Sequence, residues 1–235
     1  MSIWTTGVGR ERDRSYTLVW LMFEWYEEEV RALERARTTR AAMPHPVVFY
    51  GSSTLRLWSG LATDLRNPRA LNLAFGGSTL EACGYFFERI VPPERPDSIV
   101  IYAGDNDLGD GHSAERVLSS FRELAAKIET QLPGVPFTFV SIKPSVARFG
   151  IINRIRLAND MIRDEIALHA SRGSQAHFIS IFEVMLREGR PRPELFLEDG
   201  LHMSLEGYRV WTEVFEKYRN TIFTPVSEPC NTEKL

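Results

Sequence analysis

Short, continuously apolar runs alternate along this chain with longer stretches in which apolar residues recur at roughly every third or fourth position. Apolar runs rich in branched and aromatic residues and bounded by turn residues read as buried strands. Five such runs occupy residues 46–50, 70–75, 98–103, 136–142 and 176–181. Helical spacing fills the intervals at 55–65, 80–90, 114–132 and 155–171. A last helix follows Ser204, a residue suited to capping it, with Tyr208, Trp211, Phe215, Tyr218 and Ile222 forming one apolar stripe. An amphipathic helix running to about Arg40 precedes the first strand. Strands that are apolar on both faces and joined through helices belong to a parallel sheet covered on both sides. Right-handed crossovers then make it a doubly wound, flavodoxin-like three-layer α/β/α sandwich with five parallel strands.

A length of 235 residues suits a single α/β domain, placed here at 46–225, with a helical extension at 1–45 packed on it and a loose tail at 226–235. Composition adds mainly exclusions. A net charge of −3 argues against a surface that tracks phosphates, so nucleic acid is not an expected partner. Cys83 and Cys230 stand far apart and form neither a disulfide framework nor a metal-ligand spacing. The apolar run at 17–23 is far too short to span a bilayer and is followed at once by Glu24, Glu27, Glu28 and Glu29, so it reads as part of a helix and not as a signal sequence. The expectation is a cytoplasmic protein.

In doubly wound sheets, ligands bind beyond the carboxyl ends of the strands. The chemically able residues of this chain fall there. Ser53 follows the first strand in Gly51-Ser52-Ser53-Thr54, at the start of a helix whose N-terminus favours developing negative charge. Serines at helix starts are most often simple caps, so Ser53 carries weight only in company. Gly76-Gly77 follows the second strand and lets backbone N–H groups approach an oxyanion closely. Asn106, in Gly104-Asp105-Asn106-Asp107 after the third, can donate its amide to the same charge. Asp199 and His202 follow the fifth in Asp199-Gly200-Leu201-His202, a spacing that sets a carboxylate against an imidazole. Of five histidines, only His202 has this arrangement, which suits a general base that later acts as general acid.

Taken together, these blocks resemble the SGNH/GDSL hydrolase superfamily. The family's Gly-Asp-Ser-Leu block is represented by Gly51-Ser52-Ser53-Thr54, in which Ser52 replaces the usual aspartate. Its glycine block maps onto Gly77, its Gly-x-Asn-Asp block onto Gly104–Asp107, and its Asp-x-x-His block onto Asp199–His202. The layout is also similar to that of the platelet-activating-factor acetylhydrolase-like esterases. The resemblance implies a serine esterase without cofactor or metal, acting on a small-molecule carboxylic ester. Ser53, His202 and Asp199 are the implied triad, and Ser53 N–H, Gly77 N–H and the Asn106 amide the implied oxyanion hole. Lys143 and Arg148, after the fourth strand, are candidate substrate contacts, and Trp20, Trp25 and Trp58 candidates for lining an acyl or sugar site.

Two other readings compete. The fold also serves binding modules with no chemistry. The acidic run from Asp105 to Asp110 opens like a calcium loop, but its fifth and twelfth positions hold Gly109 and Arg116 in place of oxygen ligands.

Overall fold

A computed structural model describes residues 22–223. Five parallel strands form its sheet: β1 (Val47–Gly51), β2 (Ala70–Asn72), β3 (Ser98–Tyr102), β4 (Phe137–Val140) and β5 (Ala176–Ile179). They lie in the order β2-β1-β3-β4-β5, so the doubly wound sheet expected from the alternation is the one observed. β1 and β3 are adjacent and in register from Val47 with Ser98 to Gly51 with Tyr102. The chain leaves this pair in opposite directions, which opens the ligand crevice at their carboxyl ends.

In chain order, the helices are α1 (Glu27–Thr39), α2 (Ser53–Arg56), α3 (Leu61–Asp64), α4 (Leu80–Ile90), α5 (Asp105–Gly109), α6 (Ala114–Gln131), α7 (Ile152–Ser171), α8 (Leu205–Lys217) and α9 (Arg219–Phe223). Two apolar clusters cover the sheet. One joins Val48, Tyr50, Ile99 and Ile101 to buried residues of α4, α6 and α7, with Val30 of α1 behind them. The other joins Val47, Phe49, Val100 and Tyr102 to Leu55, Leu61, Trp211 and Phe215 of α2, α3 and α8. Alternate residues of one strand thus enter opposite cores, and β1 and β3 are buried at every position.

Several elements depart from the expected bounds. The helix expected over 55–65 is two short helices, α2 and α3, separated by a turn. Trp58 causes the break. It is withdrawn into the core, stacked on Tyr208 at 5.1 Å between ring centroids, and its indole N–H donates to Asp64 at 2.7 Å. Strand β2 ends at Asn72, although Leu73 and Phe75 still donate to Phe49 and Gly51 of β1. Strand β4 ends at Val140, because Ile142 exchanges its N–H and C=O with the side-chain amide of Asn159, at 2.7 and 2.9 Å. After β5, the Ile181 N–H bonds to the Ser141 hydroxyl. A two-stranded hairpin, β6 (Leu186–Arg187) and β7 (Arg190–Pro191), was not expected from the pattern. The expected tail at 226–235, Trp20 and Cys230 lie outside the described residues. Among the described residues, no helix is long and apolar enough to cross a membrane.

Candidate active site

The residues singled out at strand ends all lie beyond the carboxyl ends of the parallel strands. Gly51 ends β1 with φ +143°, and a side-chain carbon there would lie 1.9 Å from the Tyr102 carbonyl oxygen of β3. Only glycine lets the two central strands close up at this point. Ser52 then caps α2 in extended conformation and Ser53 is its first residue, so the Ser53 N–H faces outward with no intrahelical acceptor. The Ser53 hydroxyl is half-buried and makes no hydrogen bond among the described residues.

His202 and Asp199 sit on a tight loop before α8. Leu197 N–H donates to the His202 carbonyl at 2.8 Å, and Gly200 turns the chain with φ +65°. The imidazole Nδ1 is bonded to Asp199 Oδ2 at 2.6 Å, while Asp199 Oδ1 accepts from the Leu201 and His202 N–H groups at 2.8 and 2.9 Å. The His202 bond, helped by the Leu201 N–H, lowers the Asp199 carboxyl to about 2. A carboxylate bonded to Nδ1 fixes the tautomer that leaves Nε2 as the basic nitrogen, and Nε2 has no partner among the described residues. Six residues on, the Tyr208 hydroxyl donates to the Thr54 carbonyl at 2.9 Å, tying the first turns of α8 to the turn that carries Ser53. No hydrogen bond joins Ser53 to His202 in this structure.

Gly77 adopts φ +67° in the loop after β2, and its N–H donates to no group among the described residues. Asn106, on α5, donates one amide hydrogen to the Ser78 carbonyl at 3.1 Å and accepts from Arg148 at 3.2 Å. Both ends of that amide are fixed, and its second hydrogen is left over. Loop 145–148 links the pieces: Ala147 N–H bonds to the Gly200 carbonyl beside His202, and Arg148 holds Asn106.

Lys143 and Arg148 take different places from those expected of substrate contacts. Lys143 is 1% exposed, its ammonium 2.7 Å from Asp105 Oδ2 and 3.3 Å from the Tyr102 hydroxyl. Arg148 closes on the other oxygen of Asp105 at 2.5 Å. Burial by itself would raise the Asp105 carboxyl, but the two cations more than offset it and hold the group below its ordinary range. The Lys143 ammonium therefore turns away from the cleft and into an ion cluster behind Asn106. Asp107 is also spoken for, with both oxygens accepting the Leu80 N–H at the start of α4, at 3.1 Å. The carboxylates of the supposed calcium loop thus point to separate protein partners inside a helix, and do not converge. Trp58 is core, whereas Trp25 is 65% exposed and lines a cleft of about 400 Å³ that also takes in Tyr26, Gly77 and Asn106. The polar links from α1 to this region are absent from the sequence reading, because no local pattern marks them.

The chain's similarity to known proteins can now be set beside this geometry. The model of the GDSL-like Lipase/Acylhydrolase family matches residues 45–210, which span the whole sheet and every residue of the candidate site. None of the curated proteins matches. Among solved structures, a Streptococcus pneumonia protein named for platelet activating factor superposes with TM-score 0.68 at 17% identity, over 86% of this chain and 98% of its own. A GDSL-like lipase from Bacteroides thetaiotaomicron VPI-5482 gives 0.61 at 19% identity, over 79% and 95%. The family 3 carbohydrate esterase of Clostridium thermocellum gives 0.60 at 18%, over 73% and 93%. At such identities the likeness is one of fold, and it agrees with the five-stranded parallel sheet. With its matched segment covering well over half its length, the chain belongs to the GDSL-like lipase/acylhydrolase family.

Proposed function

We propose that the protein is a serine esterase that hydrolyses carboxylic esters of small, carbohydrate or lipid alcohols through Ser53, His202 and Asp199. The observation that carries the reading is the 2.6 Å bond between Asp199 and His202 Nδ1, which leaves Nε2 as the basic nitrogen. In the reaction, Ser53 Oγ attacks the ester carbonyl carbon while His202 Nε2 takes its proton. The carbonyl π pair moves onto oxygen, where Ser53 N–H, Gly77 N–H and the spare Asn106 amide hydrogen receive it. Collapse expels the alcohol, which takes the proton from His202. Water then enters by the same route, releasing the acid and restoring Ser53. Asp199 stays ionised and steadies the imidazolium. Each proton transfer is served by His202, so the scheme calls for no metal.

Support comes from the family membership, from two N–H groups at the strand ends that have no partner among the described residues, and from the fixed orientation of Asn106. Ser53→Ala is expected to abolish turnover of p-nitrophenyl acetate with the fold unchanged by circular dichroism. A fluorophosphonate should label Ser53 in the parent protein and nothing in the variant. Full activity in Ser53→Ala would overturn the assignment, and an unlabelled parent protein would favour a binding module.

A further inference from the structure

The segment before the matched family region makes specific contacts with the loop that carries Gly77. Glu29, in the first turn of α1, accepts the Gly76 N–H at 2.9 Å. Tyr26, one residue before α1, donates its hydroxyl to the Gly77 carbonyl at 3.0 Å. Each peptide unit is a rigid plane, so these bonds fix the units on either side of the Gly76–Gly77 peptide. The unit between them is the one that presents the Gly77 N–H. Trp25 closes the loop from outside: a side-chain carbon at Gly77 would lie 2.4 Å from its ring. The Glu29 carboxylate also pairs with Arg56 at 2.8 Å, and Arg56 is on α2, the helix that opens with Ser53. One side chain therefore touches both the glycine loop and the helix of the nucleophile.

The anchorage of this segment is independent of the site. Phe23, Tyr26 and Val30 are buried in the main core. Arg89 of α4 binds Glu27 and Glu34 of α1, each at 2.9 Å. Burial pushes the Tyr26 phenol up to about 12, so it remains a protonated donor at neutral pH.

From these contacts we infer that Tyr26 and Glu29 are positioning residues for the oxyanion hole: the N-terminal segment is part of the catalytic apparatus and sets the direction of the Gly77 N–H. The inference rests on the serine-esterase reading. It concerns transition-state geometry, so its signature differs from that of a substrate contact. Losing the clamps should lower kcat and weaken a tetrahedral adduct while leaving ground-state binding alone.

The test uses the full chain and the variants Tyr26→Phe, Glu29→Ala and Glu29→Gln. Their kinetics on p-nitrophenyl acetate are normalised to the fraction of Ser53 that a fluorophosphonate titrates. A trifluoromethyl ketone, to which Ser53 adds reversibly with its carbonyl oxygen becoming the oxyanion, reports on the hole directly. Glu29→Ala and Tyr26→Phe are each expected to lower kcat per titrated site by about tenfold, to weaken the ketone by a similar factor, and to leave KM within about twofold. Glu29→Gln keeps an acceptor for Gly76 and should recover most of the kcat. Parent-like kcat and ketone affinity in all three variants would overturn the inference, as would a loss in Glu29→Ala that Glu29→Gln does not relieve. If instead Ser53→Ala retains activity, the esterase reading itself falls, so the two failures are distinguishable.

Discussion

Replacing Lys143 by methionine tests the buried ion cluster behind Asn106. Methionine keeps the length and most of the volume of the lysine stem, so packing is preserved while the charge is lost. Lys143 is 1% exposed and Asp105 4%, which puts the pair beyond the reach of solvent screening. Breaking a buried pair by removing one partner costs roughly 3–5 kcal/mol. Asp105 keeps Arg148, so a value of about 3 kcal/mol is expected, or some 6–12 °C in Tm for a domain of this size. The pH dependence gives the sharper check. With both cations present, the Asp105 carboxyl is held below its ordinary 3.8, which contributes stability above that pH. With Lys143 gone, burial is opposed by Arg148 alone and the carboxyl rises, so stability is lost as pH increases through its new value. The deficit of the variant should therefore be largest at neutral pH and shrink toward pH 4. Urea unfolding at several pH values measures it, and Lys143→Met with Asp105→Asn should be less destabilised than the sum of the two single changes. A loss below about 1 kcal/mol, or one that is the same at pH 7 and pH 4, would refute the reasoning. Because the Lys143 ammonium does not face the cleft, KM should hardly change.

Three further outcomes follow from the geometry. Asn106→Ala should lower kcat by about 10²–10³ with little effect on KM, read from steady-state ester hydrolysis, because in the proposed mechanism the amide acts on the oxyanion and not on the resting ester. Asp199→Asn should cost about 10⁴ in kcat through loss of the His202 tautomer. Its effect on thermal unfolding should be slight because Asp199 is half-exposed. The stability from its lowered carboxyl is fully present above pH 3.8 and fades as pH falls toward about 2, so the small deficit of the variant should be largest above pH 4 and vanish toward pH 2. Gly51→Ala should destabilise the fold by at least about 2 kcal/mol in urea titration, because the added carbon meets the Tyr102 carbonyl of the neighbouring strand and the backbone is held at φ +143°.

The sequence by itself determined what depends on local periodicity. Strands β1 and β3 are buried on both faces, so their unbroken apolar runs leave no other reading, and the alternation with helices dictates parallel pairing. The Asp199–His202 pair was also legible, because three residues of separation place both groups on one loop where the chain itself supplies the contact. Gly51, Ser53, Gly77 and Asn106 stood out because they follow strand ends, where the crevice of such a sheet opens.

Tertiary structure decided the rest, and the reason in each case is a partner remote in sequence. Lys143 looks like any strand-end lysine until Asp105, 38 residues earlier, is found 2.7 Å from its ammonium. The run at 55–65 has helical spacing throughout, yet the pull of Trp58 toward Tyr208 divides it in two. Nothing in Tyr26 or Glu29 marks them as neighbours of Gly77 and Gly76, which lie 51 and 47 residues away. Periodicity reports which face of an element is apolar; which polar group a side chain meets is set only when the elements dock.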